Sequence, residues 1–150
     1  MKSRITQIRD MSVIEKALEA EKTGVLSFIS QDEDLLQATV PYLYLDKNVH
    51  FFFEETDETF LNINFESSVS FAVSKAGGGE ENEAGQKGFR YLQVLFRGII
   101  RRVEETRDAE ELYSRFIEKY HAGSQGEEAF VGIRAAFIDT EEIQASSFLV

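Results

Sequence analysis

The chemistry open to this chain is narrow, and its reactive side chains show where to look. Two histidines, His50 and His121, stand 71 positions apart, so no HExxH helix can be written and at most two imidazoles per chain could meet one metal. His50 alternates with strand-type residues and His121 follows a helical aromatic stripe; both read as surface or helix-end histidines, and no metal site is expected. Asp32-Glu33-Asp34 lacks the glycine and the distant glutamate of a calcium loop, which makes it a solvated acidic turn. Gly77-Gly78-Gly79 is followed by acids where a phosphate-binding loop carries Lys and Ser or Thr, so phosphate is repelled there. The pairs Glu54-Glu55, Glu104-Glu105 and Glu141-Glu142 have the groups for general acid–base work. Nothing selects one pair, and acids at element ends ordinarily serve solubility, so no catalytic residue is assigned. With no cysteine, the chain has no disulfide, no thiolate nucleophile, no iron–sulfur cluster and no sulfur-rich zinc site.

These residues need a frame. At 150 residues the chain matches one domain, 1–150, able to bury about 70% of its unfolded surface. The 13 Phe and 5 Tyr give that domain ample material for a core. Sixteen Lys and Arg against 27 Asp and Glu leave a net charge of -11, a field that repels nucleic acid and anionic membranes. No apolar run is long enough to span a bilayer and the amino end does not look like a secretory signal, so a soluble, cytoplasmic protein is expected.

Periodicity divides the chain into elements. Ser12-Val13-Ile14-Glu15 has capping-box spacing and predicts a helix starting there, with Ile14, Ala17 and Leu18 on one face and Gly24 as its stop. A second helix is predicted from Asp108, with Leu112, Phe116 and Tyr120 repeating at four, flanked by Tyr113 and Ile117 and ended by Gly123. Period-two patterns predict strands at 25–30, 37–45, 49–53, 68–74, 89–103, 130–138 and 143–149, with Asp46-Lys47-Asn48 as a turn and a short helical insertion at 57–65. Gly98 falls mid-strand, where it permits a bend or bulge. Residues 75–88 read as an exposed loop. The fold class is mainly β with flanking helices, an antiparallel barrel of about six to seven strands.

One ordered set of segments goes further. A leading helix and strand precede Gln37-Ala38-Thr39-Val40-Pro41-Tyr42, an acidic turn, the aromatic strand Val49-His50-Phe51-Phe52-Phe53 and the short helix Thr59-Phe60-Leu61-Asn62-Ile63. Then come Ser68-Val69-Ser70-Phe71-Ala72-Val73, the strand Tyr91 to Gly98 and a further helix. From about Met11 to Phe137 this order resembles the pyridoxamine 5'-phosphate oxidase-like flavin mononucleotide (FMN)-binding split barrels, most specifically in Gln93-Val94 with Gly98 five residues after the glutamine. The resemblance implies a split β-barrel, a homodimer with FMN in the crevice between subunits, and at its furthest a small FMN-dependent oxidoreductase. It puts the ring-facing strand on Gln37, Ala38, Thr39 and Val40, with Phe53 nearby, and a polar ring contact on Gln93.

The family's phosphate-gripping Ser-Arg-Lys falls here on Asp57-Glu58-Thr59, replacing two cations by an acid and a neutral hydroxyl. Losing two charge-assisted hydrogen bonds weakens phosphate affinity by about 100-fold or more. Thr59 and Asn62 retain neutral donors, equally suited to helix capping, and Arg90, Lys87 or Arg97 could supply a cation from elsewhere. The alternative is a non-catalytic barrel, either a cofactor-free dimeric interaction module or a heme binder like the heme-utilisation proteins, with Tyr120 and His121 as conceivable iron ligands.

Overall fold

Alternating apolar residues force the chain into strands whose buried faces must meet, and a computed structural model shows how they do so. It describes residues 4–81, 87–121 and 130–149. In chain order the elements are β1 (Arg4–Ile8), α1 (Met11–Ala20), β2 (Thr23–Ile29), β3 (Leu35–Pro41), β4 (Leu43–Leu45) and β5 (Asn48–Glu54). There follow α2 (Glu58–Asn62), β6 (Ser68–Glu81), β7 (Lys87–Arg102), α3 (Thr106–Tyr120) and β8 (Ile133–Leu149). The strands form one antiparallel sheet ordered β3-β2-β6-β7-β8-β5-β4, with β1 alongside the far half of β8. The two ends of this order, β3 and β4, are consecutive in the chain and meet at Pro41-Tyr42, so one bent segment links both edges of the curled sheet. Proline suits the bend because it removes a ladder donor where β3 leaves β2.

Inside the curl lie Leu26, Phe28, Phe51, Phe53, Phe71, Phe96 and Ile138, with Ile14 and Leu18 of α1 packed on them. Phe71 is central, edge-on to Tyr42 at 5.2 Å and to Phe51 at 5.0 Å. Burying a phenylalanine side chain stabilises by about 1.5–3 kcal/mol, so this cluster dominates the fold's energetics.

Gly98 behaves as the sequence suggests. The β7–β8 register runs Arg97 to Glu142 and then Gly98 to Thr140, a bulge that leaves Glu141 unmatched. A Cβ at Gly98 would fall within contact distance of the Asp139 carbonyl oxygen and 2.9 Å from Ile138 Cγ2, so only glycine lets the two strands meet there. Asp46 and Lys47, at φ of 52° and 67°, make the tight β4–β5 turn expected of them.

Several expectations are corrected. The first helix is capped by Asp10, whose carboxylate accepts from Ser12 N at 3.0 Å, rather than by Ser12 itself, and Gly24 lies in β2 instead of ending α1. Helix α3 starts at Thr106 with Asp108 inside its first turn, and it buries Ala109, Tyr113 and Ile117, a face one position away from the predicted stripe. Gly123 lies outside the described residues. The two strands expected at 130–138 and 143–149 are one strand, β8, which begins only at Ile133, and β1 adds an eighth strand. Much of the expected 75–88 loop is strand, to Glu81 and again from Lys87. His50 is buried at 8% exposure, its ring stacked on Phe137 at 6.0 Å, because α3 covers that side of β5. No helix among the described residues is long and apolar enough to cross a membrane.

Candidate functional site

Strand alternation gives the sheet an outer face as well as a core. Where β2 buries Leu26 and Phe28, β6 buries Val69, Phe71 and Val73, and β7 buries Val94, Phe96 and Ile100, their neighbours in sequence point outward. The pairing registers set Gln37, Ser27, Ser70, Arg97 and Glu142 in one row across β3, β2, β6, β7 and β8. The next row is Thr39, Val25, Ala72, Leu95 and Gln144. Strands sit about 4.8 Å apart, so the donors of the first row follow one another at that spacing. Gln37 Nε2 donates to Ser27 Oγ at 3.1 Å. Ser27, Ser68 and Ser70 make a floor of small side chains, and a pocket of about 300 Å³ opens over it, lined also by Leu35, Arg97 and Glu141. Arg97 is exposed and has no ion pair among the described residues. A flat floor edged by amide, hydroxyl and guanidinium donors suits a planar ligand rich in acceptor atoms.

Helix α2 is a different environment. Asp57 caps it, its carboxylate accepting from Thr59 N at 2.8 Å, and exposed Glu58 follows. A carboxylate therefore already takes one of the helix's free amides, that of Thr59, where the resemblance places a phosphate. Asn62 is tied by its backbone, its carbonyl accepting from Gln31 N at 2.9 Å, while Asn64 N donates to the Ile29 carbonyl at 2.9 Å. These bonds stitch α2 to the end of β2. Phe60 anchors the helix, 5.8 Å from Phe53 and 5.6 Å from Phe65. Arg102 lays its guanidinium over Phe65 at 4.4 Å and Phe60 at 5.1 Å, a cation beside α2 that the sequence pattern does not single out because strand periodicity carries no sign of a stacking partner.

The expected site residues therefore fall into separate groups. Gln37 and Thr39 point to the outer face, whereas Ala38 is half-buried against the core and Val40 and Phe53 lie within it. Glu58, Thr59 and Asn62 stand on α2. Gln93 shares the outer face but pairs with Ser74 and Ser146, four residues along β7 from Arg97, or about 13 Å. Of the proposed cations, Arg97 joins the Gln37 row, Arg90 is exposed further along β7, and the Lys87 side chain lies outside the described residues.

Tyr120 is used structurally. Its hydroxyl accepts from Tyr42 N at 2.9 Å and lies against the carbonyl oxygens of Tyr42, at 2.9 Å, and Lys22. Lys119 Nζ sits 3.8 Å from the Tyr42 ring centroid and donates to the Tyr42 carbonyl at 3.1 Å. Desolvation and the nearby Lys22 bring the Lys119 ammonium down to about 8, while Glu19 and Glu21 oppose them. Desolvation likewise raises the Tyr42 phenol well above its usual range, and that hydroxyl donates to the Leu18 carbonyl at 2.6 Å. This cluster fastens α3 to the corner of the sheet, and it leaves Tyr120 committed to backbone rather than poised for iron. His121 N donates to the Ile117 carbonyl at 2.8 Å as the helix ends. Among the described residues no three His, Cys, Asp or Glu side chains gather to hold a metal ion.

No protein-family model matches the sequence, and a search of curated proteins finds no significant match. Solved structures do match. A candidate 5-nitroimidazole antibiotic resistance protein of Bacteroides thetaiotaomicron superposes with a TM-score of 0.83 at 9% identity, over 99% of this chain and 90% of that one. The FAD binding protein of Mycobacterium smegmatis gives 0.67 at 14% identity, over 97% and 99%. A candidate pyridoxamine 5'-phosphate oxidase of Corynebacterium glutamicum gives 0.67 at 12% identity, over 98% and 100%. At such identities the likeness is one of fold. The chain thus has the split-barrel fold found in flavin-binding and pyridoxamine 5'-phosphate oxidase-like proteins.

Proposed function

We propose that the chain binds FMN on the outer face of its sheet, at a seam between two copies of itself. One observation carries this reading: the row Gln37, Ser27, Ser70 and Arg97 borders a floor of small side chains that no helix of the described chain covers. The floor fits an aromatic ring system. The donors fit its carbonyl and ring-nitrogen acceptors, with Gln37 and Thr39 supplied by the strand that the resemblance assigns to the ring. The start of α2 does not fit a phosphate, for the Asp57 carboxylate already takes the Thr59 amide and, with Glu58, repels an anion. Arg97 with Ser68 and Ser70 is the better cradle, because a guanidinium and two hydroxyls offer charge-assisted and neutral hydrogen bonds together, against the opposing charges of Glu141 and Glu142 beside them.

Gln93 and the Gln37 row lie towards opposite ends of one face. A two-fold axis through that face brings Gln93 of one copy towards the Gln37 row of the other, which is why a dimer completes the site. Bound flavin supplies hydride or single-electron transfer. The chain's own residues bind it, orient it and keep water from its covered side, consistent with a small oxidoreductase.

Titration with FMN and with riboflavin, followed by absorbance and fluorescence, tests the reading. Saturable FMN binding at one per chain by a dimer is expected. In Arg97→Gln, FMN affinity falls about tenfold or more while riboflavin affinity holds. A protein that leaves both flavin spectra unchanged at about 1 mM overturns the proposal.

A further inference from the structure

The inner face of the sheet runs on past its buried core. Counting in twos along β7 from the buried Phe96 and Val94 leads through Leu92, which still packs against the core, to Arg90. The registers then set Arg90 and Arg4 on either side of Leu149, Leu92 and Thr6 on either side of Ser147, and Val94 and Ile8 on either side of Ala145. A hollow of about 200 Å³ lies on this stretch, lined by Arg4, Thr6, Ile8, Arg90, Ser147 and Leu149. It faces away from Arg97, which has the opposite parity on β7.

Two features mark the hollow out, and the first is its charge. Acids outnumber bases by 27 to 16 in the chain, yet the charged residues of this lining are two arginines and no carboxylate. Strands stand about 4.8 Å apart, so the two arginine stems rise about 10 Å from one another with Leu149 between them. Two guanidiniums over one hollow repel each other, and an anion between them replaces that repulsion by attraction.

The second is a set of donors without acceptors. The Arg4 guanidinium makes no ion pair or hydrogen bond among the described residues, and the Thr6 and Ser147 hydroxyls make no hydrogen bond there. Ser147 is half-buried, so its hydroxyl gains from a fixed partner. Donor groups from three adjacent strands thus line a hollow below the roughly 300–1,000 Å³ of sites for drug-sized ligands. Its guest is small.

We propose that the hollow binds a free phosphate-type dianion, with Arg4 and Arg90 to either side of it and the Thr6 and Ser147 hydroxyls completing its hydrogen bonds. A guanidinium presents paired N–H donors that match two oxygens of such an oxyanion, which a lysine ammonium does not. Ile8 and Leu149 supply the apolar part of the lining and bring no competing charge. The site is on the opposite side of the sheet from the flavin face and stands or falls without it.

The probe is inorganic phosphate, titrated into the full isotope-labelled chain at pH 7.5 and constant ionic strength while the Thr6 and Ser147 amide signals are followed by NMR, with calorimetry alongside. Saturable movement with a dissociation constant of about 1 mM or tighter is expected, whereas chloride at the same ionic strength gives no saturation. Arg4→Gln and Arg90→Gln, both at exposed positions and checked by thermal melting, each weaken phosphate about tenfold. Arg4→Lys keeps the charge without the paired donors and weakens it about threefold. Arg97→Gln leaves it unchanged, so this site and the flavin site can each fail alone. Four results would overturn the proposal: no saturable movement at about 20 mM phosphate, chloride acting as phosphate does, undiminished affinity in Arg4→Gln, or loss of binding in Arg97→Gln.

Discussion

The two outer faces of the sheet are built in opposite ways. Over β5, helix α3 sets Tyr113 and Phe116 on Phe52, with centroids 5.4 and 4.7 Å away, and Phe130 and Tyr120 extend the stack. Over β2, β6 and β7 the outward residues include Ser27, Ser68, Ser70, Ala72 and Arg97 beside the aliphatic Val25 and Leu95, and no described helix lies on them. Large aromatic rings left in water would be costly and prone to association, so the covered face carries them and the bare face carries small, polar and aliphatic groups. The bare face is thus compatible with water in a single chain while remaining flat enough to accept a guest or a second copy.

Gly98 underlies both faces, and its replacement should have the largest effect. The bulge there lets β8 turn from the bare side towards β5, and it places Glu141 beside Arg97. Gly98→Val pushes a branched side chain into the Asp139 carbonyl and Ile138. A loss of about 3 kcal/mol or more is expected, seen as a melting temperature about 6–12 °C lower. A change under about 2 °C would show that β8 yields freely and that the bulge does not fix the two faces.

Next comes the contrast itself. Phe52→Ala takes a half-buried ring from the covered face and should cost about 2–3 kcal/mol, short of the full core value because the ring is not fully enclosed. Ser70→Ala on the bare face should change stability by less than about 0.5 kcal/mol. Denaturant unfolding of both variants checks the difference. Equal losses would mean that the outer row is structural in the single chain, which would remove the reason to read it as a binding face.

How far the sequence reveals these faces depends on the range of the forces involved. Strand positions, the bulge at Gly98 and the turn at Asp46 are local properties of alternation and backbone freedom, and they are legible. So is the order of segments that resembles the split barrels. The helix start is less so, since Asp10 and Ser12 can each cap and only the folded chain shows Asp10 doing it. Burial of His50 is illegible, because it depends on α3 crossing β5 from more than fifty residues away. For the site, Gln37 can be placed on the correct face by counting in twos. That Ser27, Ser70 and Arg97 stand in its row requires the registers of three strand pairs, which residue spacing does not contain.

The smallest expected effect concerns how the covered face is fastened at its end. Lys119 lies against Tyr42 and between backbone carbonyls, and its ammonium is held at about 8, below its ordinary 10.5. Between those two values the unfolded chain keeps a proton that the folded chain has released, so this residue's contribution to stability rises as pH climbs through that window. Below about pH 8 the side chain is charged in both states and the folded chain bears the full cost of desolvating it. Because Lys119 is only half-buried, solvent screening trims the effect to the order of 1–2 kcal/mol. Lys119→Met keeps an apolar stem over the Tyr42 ring but has no proton to lose. Urea unfolding at pH 7.5 and at pH 10 should therefore show the native chain gaining stability relative to the variant by that amount. Parallel curves would mean that the ammonium stays solvated, and that Tyr42 and Tyr120 fasten α3 without it.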